Sequence, residues 1–402
     1  MDIPLLGWLA LAAAAGQILD ADPRYAPQRQ DQLPPMLEIV WSRGPNLPQG
    51  FQDSTAGIVG DTLVTAGGFC AGRKDVPGKV DKYPRGFLNK AWGLRLSTLQ
   101  AGWFRLPEFP LEGRQGLAGV VVGGKLYAWG GVNYTAPFTY GQGLRLSREG
   151  KSWVWERLPD LPTPVAWPGI CTLGSKIYTL GGADYDSQRF HTRADRSGAR
   201  PRLGARFWVI DTAHVELGWK RLPDCPGTPR FTPAMAAAGG KVYLIGGASG
   251  DDHPGRTYCT VVDNWIYDPV AGRWDRLRDL PVASGNFPCG EITYQDRYIL
   301  LVGGYQYSQV ENPDGTLRTP YGKPHKHYPN NPYFSDVWVF DTQKGSFGRA
   351  DPLPLNNNTP ITVVHGDRIY LLGGETGGAE IDGERYGHHP DLLLIGHIKP
   401  VR

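Results

Sequence analysis

Short runs of alternating apolar residues, each closing on a pair of glycines, occur six times along this chain of 402 residues. The segment from Lys241 to Gly247 shows the pattern most clearly. A two-residue turn signal and a second short apolar run precede each of these segments, which predicts a tight β-hairpin. The six glycine pairs are Gly67-Gly68, Gly130-Gly131, Gly181-Gly182, Gly246-Gly247, Gly303-Gly304 and Gly373-Gly374.

An aromatic residue just ahead of a proline-bearing turn marks each unit, and from it to the next glycine pair the distance is 26 to 29 residues. A period of this size with four short strands per unit predicts a β-propeller, whose blades bury their faces against one another. The glycine pair, the aromatic and the Leu-Pro turn resemble kelch repeats. We therefore expect an all-β chain that forms one six-bladed kelch-type β-propeller over residues 36–402. The aromatic residues are Trp41, Trp103, Trp155, Trp219, Trp274 and Phe347.

The two ends of this repeat are incomplete in complementary ways. Residues 37–43 read as an outermost strand without the rest of its blade, whereas residues 360–396 lack the aromatic and the Leu-Pro turn of a fourth strand. We predict that the N-terminal strand completes the sixth blade, which closes the ring and removes two exposed sheet edges.

Ahead of the repeat lies an apolar run from Ile3 to Ala15 that ends in small residues. Its length and its end predict a signal peptide over residues 1–15 and export to the periplasm or the extracellular space, with no membrane span in the mature chain. Because Asp2 stands where a signal peptide has Lys or Arg, a docked or disordered N-terminal arm is the alternative. Residues 16–35 are polar and proline-rich, which predicts a linker.

Charge and cysteine content exclude several classes of function. The net charge of +3 is mild and scattered, so we expect no nucleic-acid partner. The five cysteines are odd in number and show no CxxC spacing, which argues against a zinc ribbon or a complete disulfide framework. Cys171 falls in an apolar strand and is expected to be a small buried residue. A bridge between Cys225 and Cys259 stays open, and no cofactor is predicted.

Insertions are concentrated after the glycine pairs, where the distance to the next aromatic varies from 24 to 43 residues. In an up-and-down blade these connections emerge on one end of the ring, here called the elaborated face, and binding residues are expected there. Its aromatics, amides and arginines suit a sugar ring, its hydroxyls and a carboxylate. The alternative is that such arginines and amides cap the backbone of nearby loops. The candidate substrate-binding residues are Asp53, Arg114, Arg230, Asn286, Tyr305 and Asn358.

Two histidine pairs lie in the last two loops of this face, His325 with His327 and His388 with His389. Together with a carboxylate such as Glu384 or Asp391, they have the ligand types of a zinc or copper site. Neighbouring histidines in loops more often face solvent, so no metal is predicted. No nucleophile elbow of the G-x-S-x-G type occurs, which removes one class of hydrolase.

Among kelch proteins, the chain resembles the bacterial sialic acid mutarotases, exported six-bladed propellers that interconvert the anomers of N-acetylneuraminate. The matching segments are residues 113–115, residues 369–378 and a fifth-blade loop with Glu311, Asn312, His325, Ser335 and Asp336. The resemblance implies an isomerase that acts on a small carbohydrate or sugar acid. The alternative is a non-catalytic propeller that binds a glycan or a protein partner through the elaborated face.

In that family the fourth blade carries a glutamate directly after its glycine-containing turn and an arginine shortly after a Pro-Gly. Arg256 matches the arginine, but Ala248 stands at the glutamate position. Opening a sugar hemiacetal requires one group to take the proton of the anomeric hydroxyl and another to protonate the ring oxygen. The resemblance therefore implies Arg256 as one catalytic residue, with an acid from Asp251, Asp252, His253 or Glu375 in place of the missing glutamate.

Overall fold

The computed structural model describes residues 33–70, 83–135, 137–185, 202–249, 259–281, 284–285, 287, 291–305, 309–311, 317–318, 333–376, 379–381, 384–386 and 388–401. Six four-stranded antiparallel sheets in these residues form the blades of a β-propeller, which confirms the predicted fold. The signal peptide predicted for residues 1–15 and most of the predicted linker lie outside the described residues.

Each blade runs from an inner strand beside the channel to an outer strand. From inner to outer, the strands are Thr55–Val59, Thr62–Ala66, Ala91–Arg95 and Trp103–Arg105 in blade 1; Gln115–Val122, Lys125–Val132, Gly143–Glu149 and Ser152–Leu158 in blade 2; Gly169–Leu173, Lys176–Leu180, Phe207–Asp211 and Lys220–Leu222 in blade 3; Ala234–Ala238, Lys241–Ile245, Asn264–Asp268 and Arg273–Leu277 in blade 4; Thr293–Tyr294, Tyr298–Val302, Val337–Asp341 and Ser346–Arg349 in blade 5; and Ile361–His365, Arg368–Leu372, Leu393–Pro400 and Leu37–Arg43 in blade 6.

Smaller elements decorate the connections after the glycine pairs. Two 3-10 helices, Leu96–Ala101 and Thr212–Leu217, lead into outer strands. The short loop strands pair as Phe69–Cys70 with Gly86–Phe87, Ala183–Asp184 with Arg202–Leu203, and Ala379–Ile381 with Glu384–Tyr386. A further sheet joins loops of blades 4 and 5 through Ala248–Ser249, Cys259–Val261, Gln309–Glu311 and Leu317–Arg318.

The glycine pairs lie where the backbones of neighbouring blades approach most closely. In blades 1, 2, 3, 5 and 6 the second glycine donates its N–H to a carbonyl of the next blade, as Gly68 does to Arg114 at 2.8 Å and Gly374 does to Phe51 at 2.9 Å. Both glycines of each pair have a positive φ, which side chains with a Cβ rarely adopt. A Cβ on Gly373 would lie 2.2 Å from the carbonyl oxygen of Phe51. Glycine is therefore required at this contact.

The repeated aromatic and the proline-bearing turn join the outer edges of neighbouring blades. Trp103, Trp155 and Trp274 each donate from the indole Nε1 to a proline carbonyl of the preceding blade, at 2.9 to 3.0 Å. The acceptors are Pro45, Pro107 and Pro223. In three of the blades, the sequence spacing of these two features thus reflects one hydrogen bond to the neighbouring blade.

The ring is closed by the N-terminal strand, as predicted. Leu37–Arg43 pairs antiparallel with Leu393–Pro400, with Leu37 opposite Pro400 and Arg43 opposite Leu394. Ile39 is buried against the core at 3% exposure, whereas the next residue, Val40, is 66% exposed. This alternation fixes the register, because a slip of one residue would exchange the buried and exposed faces.

Apolar side chains fill the space between neighbouring blades, and Trp129 and Trp338 are fully buried. Cys171 and Cys225 are buried thiols, which agrees with the expectation for Cys171; nothing is described of the side chain of Cys259. In the described residues, no helix has the length and apolar character needed to cross a membrane.

Candidate functional site

A ring of residues with left-handed backbone surrounds the channel where the inner strands begin. Within the described residues, the members with positive φ are Asp53, Gly116, Trp167, Thr232 and Thr359. Gly116 donates its N–H to the carbonyl of Asp53, Trp167 to that of Gly116, and Thr232 to that of Trp167, at 2.8 to 2.9 Å. Non-glycine residues held in this conformation cost about 1–3 kcal/mol each and are concentrated at functional sites. We call this set the channel-mouth ring.

Two kinds of polar position meet beside this ring. In blade 6, Asn358 lies just before the inner strand and Glu375 just after the glycine pair, and their backbones exchange hydrogen bonds of 2.9 and 2.7 Å. Gln52 and Phe69 form the same bridge in blade 1. Residues just before an inner strand and residues just after the glycine pair of the same blade are therefore direct neighbours across the hairpin.

Glu375 is the centre of a buried polar cluster. Its Oε1 accepts a hydrogen bond from Nε2 of His388 at 2.7 Å, and its Oε2 accepts one from Nδ2 of Asn358 at 2.9 Å. Tyr333 also donates to this carboxylate. The ring of His389 lies 4.7 Å from that of His388, and the two histidines are 3% and 8% exposed. The expectation that these histidines face solvent is wrong, because the fold buries both beside Glu375.

The two carboxylates of the site have very different proton affinities. Burial raises the pKa of Asp53 to about 7, and the negative charge of Glu375 acts in the same direction. Burial alone would also raise the pKa of Glu375, but the hydrogen bond and the charge of His388 lower it to about 2. Near neutral pH, Glu375 is therefore ionised, whereas Asp53 exchanges its proton.

Neighbouring groups of the cluster are affected by the same burial. Burial and the charges of His388 and Arg85 together lower the pKa of His389 to about 3, against the opposing charge of Glu375, so its imidazole is neutral. Burial, followed by the charge of Glu375, raises the pKa of Tyr305 above its usual range. The site thus combines one fixed negative charge with neutral donors and acceptors.

An aromatic wall continues from this cluster to the surface. The ring of Phe69 lies 5.9 Å from that of His389 and 4.9 Å from that of Phe87, which in turn lies 4.8 Å from Tyr134. Tyr134 is 44% exposed. The guanidinium of Arg85, an exposed residue, lies 5.1 Å from the centre of the Phe69 ring. A cation and aromatic faces therefore stand at the mouth of the polar cluster.

Four of the predicted site residues come together in this region. Asp53 comes from blade 1, Tyr305 from blade 5, and Asn358 and Glu375 from blade 6. Glu375 contacts Asn358 directly, and its charge acts on both Asp53 and Tyr305. The Oδ1 atoms of Asp53 and Asn358 are buried and have no hydrogen-bond partner in the described part of the chain. Such acceptors are suited to hydroxyl groups of a ligand.

Arg114 and Arg230 lie elsewhere, with 0% exposure inside blades 2 and 4. Nη1 of Arg114 donates to Gln142 Oε1 at 2.8 Å and to the carbonyl of Gly130 at 3.4 Å. Arg230 donates to the carbonyl of Gly246 at 3.1 Å and pairs with Asp263 at 2.6 Å. These contacts match the alternative that such arginines cap backbone, and neither guanidinium is exposed to a ligand.

Several predicted residues cannot be placed. Those outside the described residues are Arg256, Asp252, His253, Asn286, His325 and His327, and nothing is described of the side chain of Glu384. Asp391, the other carboxylate suggested as a partner of the histidines, accepts a hydrogen bond from Tyr83 at 3.0 Å. The carboxylate beside His388 and His389 is instead Glu375, and these three residues place ligand atoms within 4.8 Å of one another.

Arg85, Phe87 and Tyr333 belong to the site but were not singled out from the sequence. All three lie in the long insertions that follow the glycine pairs of blades 1 and 5. The length of those insertions marks the face to which they belong. Their sequences contain no repeat that would show which residues turn toward the channel.

Comparisons with known proteins agree with this architecture. A family model described as "Kelch motif" matches residues 229–281, which include all four strands of blade 4. The solved structure titled "Structure of YjhT" superposes with a TM-score of 0.62 at 17% identity, covering 90% of this chain and all of that one. At this identity, the match supports the propeller fold alone.

Similar sequences fall into two groups. The N-acetylneuraminate epimerase of Haemophilus influenzae strain 86-028NP is 23% identical over 84% of this chain and 88% of its own length. The N-acetylneuraminate epimerase of Yersinia enterocolitica is 24% identical over 59% of this chain and 62% of its own. The human Kelch repeat and BTB domain-containing protein 13 is 30% identical over 34% of this chain and 25% of its own.

Proposed function

We propose that this propeller binds a sugar acid at the channel mouth and interconverts its anomers, with N-acetylneuraminate or a closely related sugar acid as the substrate. The observation that carries the proposal is the pairing of Asp53, whose pKa is raised to about 7, with Glu375, whose pKa is held near 2. Interacting carboxyl groups with such different pKa values are typical of acid–base sites. The names of the bacterial relatives support the choice of sugar.

Asp53 is the proton carrier in this proposal. The anomeric hydroxyl and the ring oxygen are bonded to the same carbon, so one carboxyl group reaches both. Ionised Asp53 takes the hydroxyl proton; the bond between the anomeric carbon and the ring oxygen then breaks as a carbonyl forms, and the proton passes to the ring oxygen. Reclosure on the other face of the carbonyl gives the second anomer. A carrier is most effective when its pKa is near the working pH, as that of Asp53 is.

The surrounding groups bind the sugar and set the acidity of Asp53. The negative charge of Glu375 raises the pKa of Asp53. Asn358 offers its buried Oδ1 to a sugar hydroxyl. Arg85 provides a cation for the substrate carboxylate, and the exposed ring of Tyr134 offers a surface on which the sugar stacks. Arg256, implied as a carboxylate partner by the resemblance, remains a second candidate for that role.

The test is the rate of anomer exchange, followed by NMR on freshly dissolved N-acetylneuraminate. Catalytic amounts of protein should shorten the lifetime of the initial anomer, with an added rate that rises with pH to a plateau above about 7 as Asp53 ionises. Asp53→Asn should abolish the added rate and retain binding. Glu375→Gln should lower the rate more than binding and move the midpoint to lower pH, because it removes the charge that raises the pKa of Asp53.

Other outcomes decide between this function and the alternative. Binding of the sugar without acceleration would favour a glycan-binding propeller, and an absence of both with any sugar acid would favour a protein-binding one. Arg256→Ala should weaken both binding and rate if that residue holds the carboxylate. Export is part of the proposal, and protein from its native host that keeps Met1 in an intact-mass measurement would contradict it.

A further inference from the structure

We propose that Glu375, His388 and His389 form a binding site for one divalent transition-metal ion, with Zn²⁺ the best match to the ligands. The site includes Glu375, which the proposed sugar chemistry also uses, but metal binding does not require that chemistry. One carboxylate and two imidazoles from a single blade form a ligand set that proteins use for zinc and for non-haem iron. In both cases three protein ligands leave at least one coordination position open for water or substrate.

The spacing of the three residues fits an empty metal site. Each offers one ligand atom, and these atoms lie within 4.8 Å of one another. Zinc holds nitrogen and oxygen ligands at about 2.0–2.2 Å, so tetrahedral ligands lie about 3.3 Å apart. The contact of 2.7 Å between His388 Nε2 and Glu375 Oε1 would open slightly, and the wider contacts would close.

The chain also holds these ligands in position. Asn358 donates to Oε2 of Glu375, which fixes the plane of the carboxylate and leaves Oε1 directed at His388. The N–H of Thr376 donates to the carbonyl of His388 at 2.9 Å, which ties the histidine loop to the strand end that carries Glu375. Hydrogen bonds of this outer kind orient ligands and raise metal affinity. The site is therefore organised before any ion enters.

The buried carboxylate of Asp53 provides an independent indication of a missing group. Its Oδ1 has no hydrogen-bond partner among the described residues, although Asp53 is only 5% exposed. The negative charge of Glu375 acts on this carboxyl group, whose other hydrogen bonds are with Trp167 and Thr359. Asp53 therefore offers one unused buried acceptor to a polar group bound in this region. Buried polar atoms without partners are rare in folded proteins and mark sites of missing waters or ligands.

Metal ligation requires the carboxylate and the ligating imidazole nitrogens to carry no proton. The proton that Nε2 of His388 directs at Oε1 of Glu375 must therefore leave this nitrogen before it binds an ion. Metal affinity should accordingly weaken as the pH falls. Arg85 opposes a bound cation, but its side chain is exposed and its charge is screened by solvent.

The experiment uses the full-length chain without an affinity tag, after treatment with chelator. This protein is titrated first with Co²⁺ and then with Zn²⁺. We expect one equivalent of Co²⁺ to produce the visible absorption bands of a four- or five-coordinate site and Zn²⁺ to displace it. His389→Gln should lower Co²⁺ affinity by more than about 100-fold, since loss of an outer hydrogen bond alone costs about 10–100-fold. Asn358→Ala, which removes such a bond, should fall in that lower range.

His397 provides the matched control. Its Nε2 lies 2.9 Å from Oδ2 of Asp367, which reproduces the pair of His388 and Glu375 without a second imidazole. His397→Gln should leave Co²⁺ affinity unchanged. Thermal unfolding in chelator confirms that each variant folds, and Zn²⁺ should raise the melting temperature of the wild type and not that of His389→Gln. Folded wild-type protein that binds no stoichiometric metal, or a His389→Gln variant that binds it equally well, would overturn the site. Neither result would decide whether the protein catalyses anomer exchange.

Discussion

At the scale of single residues, an offset of one position decides whether a polar side chain enters the site or the interior. Asn357, Arg114 and Arg230 lie two residues before members of the channel-mouth ring, and each donates to the carbonyl of the first glycine in the pair of its own blade. Asn358, one residue later, turns to Glu375 instead. Successive side chains of an extended backbone point to opposite sides, which explains the difference.

The pKa of Asp53 leads to a prediction about stability. The folded state keeps this proton up to a pH of about 7, whereas the unfolded chain loses it near 3.8. Because the folded state binds more protons between these values, the free energy of unfolding falls as pH rises through this window. The difference in the pKa of Asp53 between the folded and unfolded states corresponds to about 4 kcal/mol at most. Asp53→Asn, which mimics the protonated group, should therefore be the more stable protein at pH 8 by up to that amount.

The extra stability of Asp53→Asn over the wild type should vanish at or below a pH of about 4, where wild-type Asp53 is protonated in both the folded and the unfolded state. Urea unfolding of the two proteins at several pH values measures it. An equal difference at every pH would mean that packing, and not ionisation, separates the two proteins. Glu291 contributes to the same slope in both proteins, since burial raises its pKa to about 7, and it cancels in the comparison.

At the scale of elements, the hairpins and their glycine pairs are what sequence reasoning can recover. The alternation of apolar residues, the turn signals and the near-constant spacing follow from contacts that are repeated in every blade. The candidate site has no such repetition. Glu375 and His388 belong to the same blade, but the loop between them sets their contact, and the raised pKa of Asp53 is a result of burial. No repeat in the sequence predicts either the contact between Glu375 and His388 or the raised pKa of Asp53.

The glycine pairs provide a second test. Gly373→Ala should destabilise the protein by more than about 3 kcal/mol, because the residue has φ +58 and its Cβ would lie 2.2 Å from the carbonyl of Phe51. Gly123→Ala is the matched control, with φ +55 at a hairpin turn and nothing within 4 Å of the added carbon. Its cost should be about 1 kcal/mol, the cost of the backbone conformation alone. Chemical unfolding compares them, and similar losses would show that contact between blades is not what requires glycine.

At the scale of the whole molecule, the ring makes the stability of every blade depend on its neighbours. The chain closes this ring with its first described strand and its last, so the two ends of the propeller complete a single sheet in blade 6. Closure removes the two exposed edges that an open arc of blades would present to other chains. The site depends on it directly, since Asp53 comes from the first blade and Glu375 from the last.

The closing strand therefore allows a test at adjacent positions with opposite exposure. Ile39→Asp places an unpaired charge at a site that is 3% exposed in the cluster shared with Leu371 and Leu394, so we expect a loss of at least about 3 kcal/mol. Val40→Asp puts the same charge on a residue that is 66% exposed and should change stability by no more than about 0.5 kcal/mol. Because an opened ring exposes sheet edges, Ile39→Asp should also aggregate at concentrations where Val40→Asp does not, which light scattering measures. Equal stability and equal scattering for the two variants would mean that the N-terminal strand is an accessory to the propeller and not its closure.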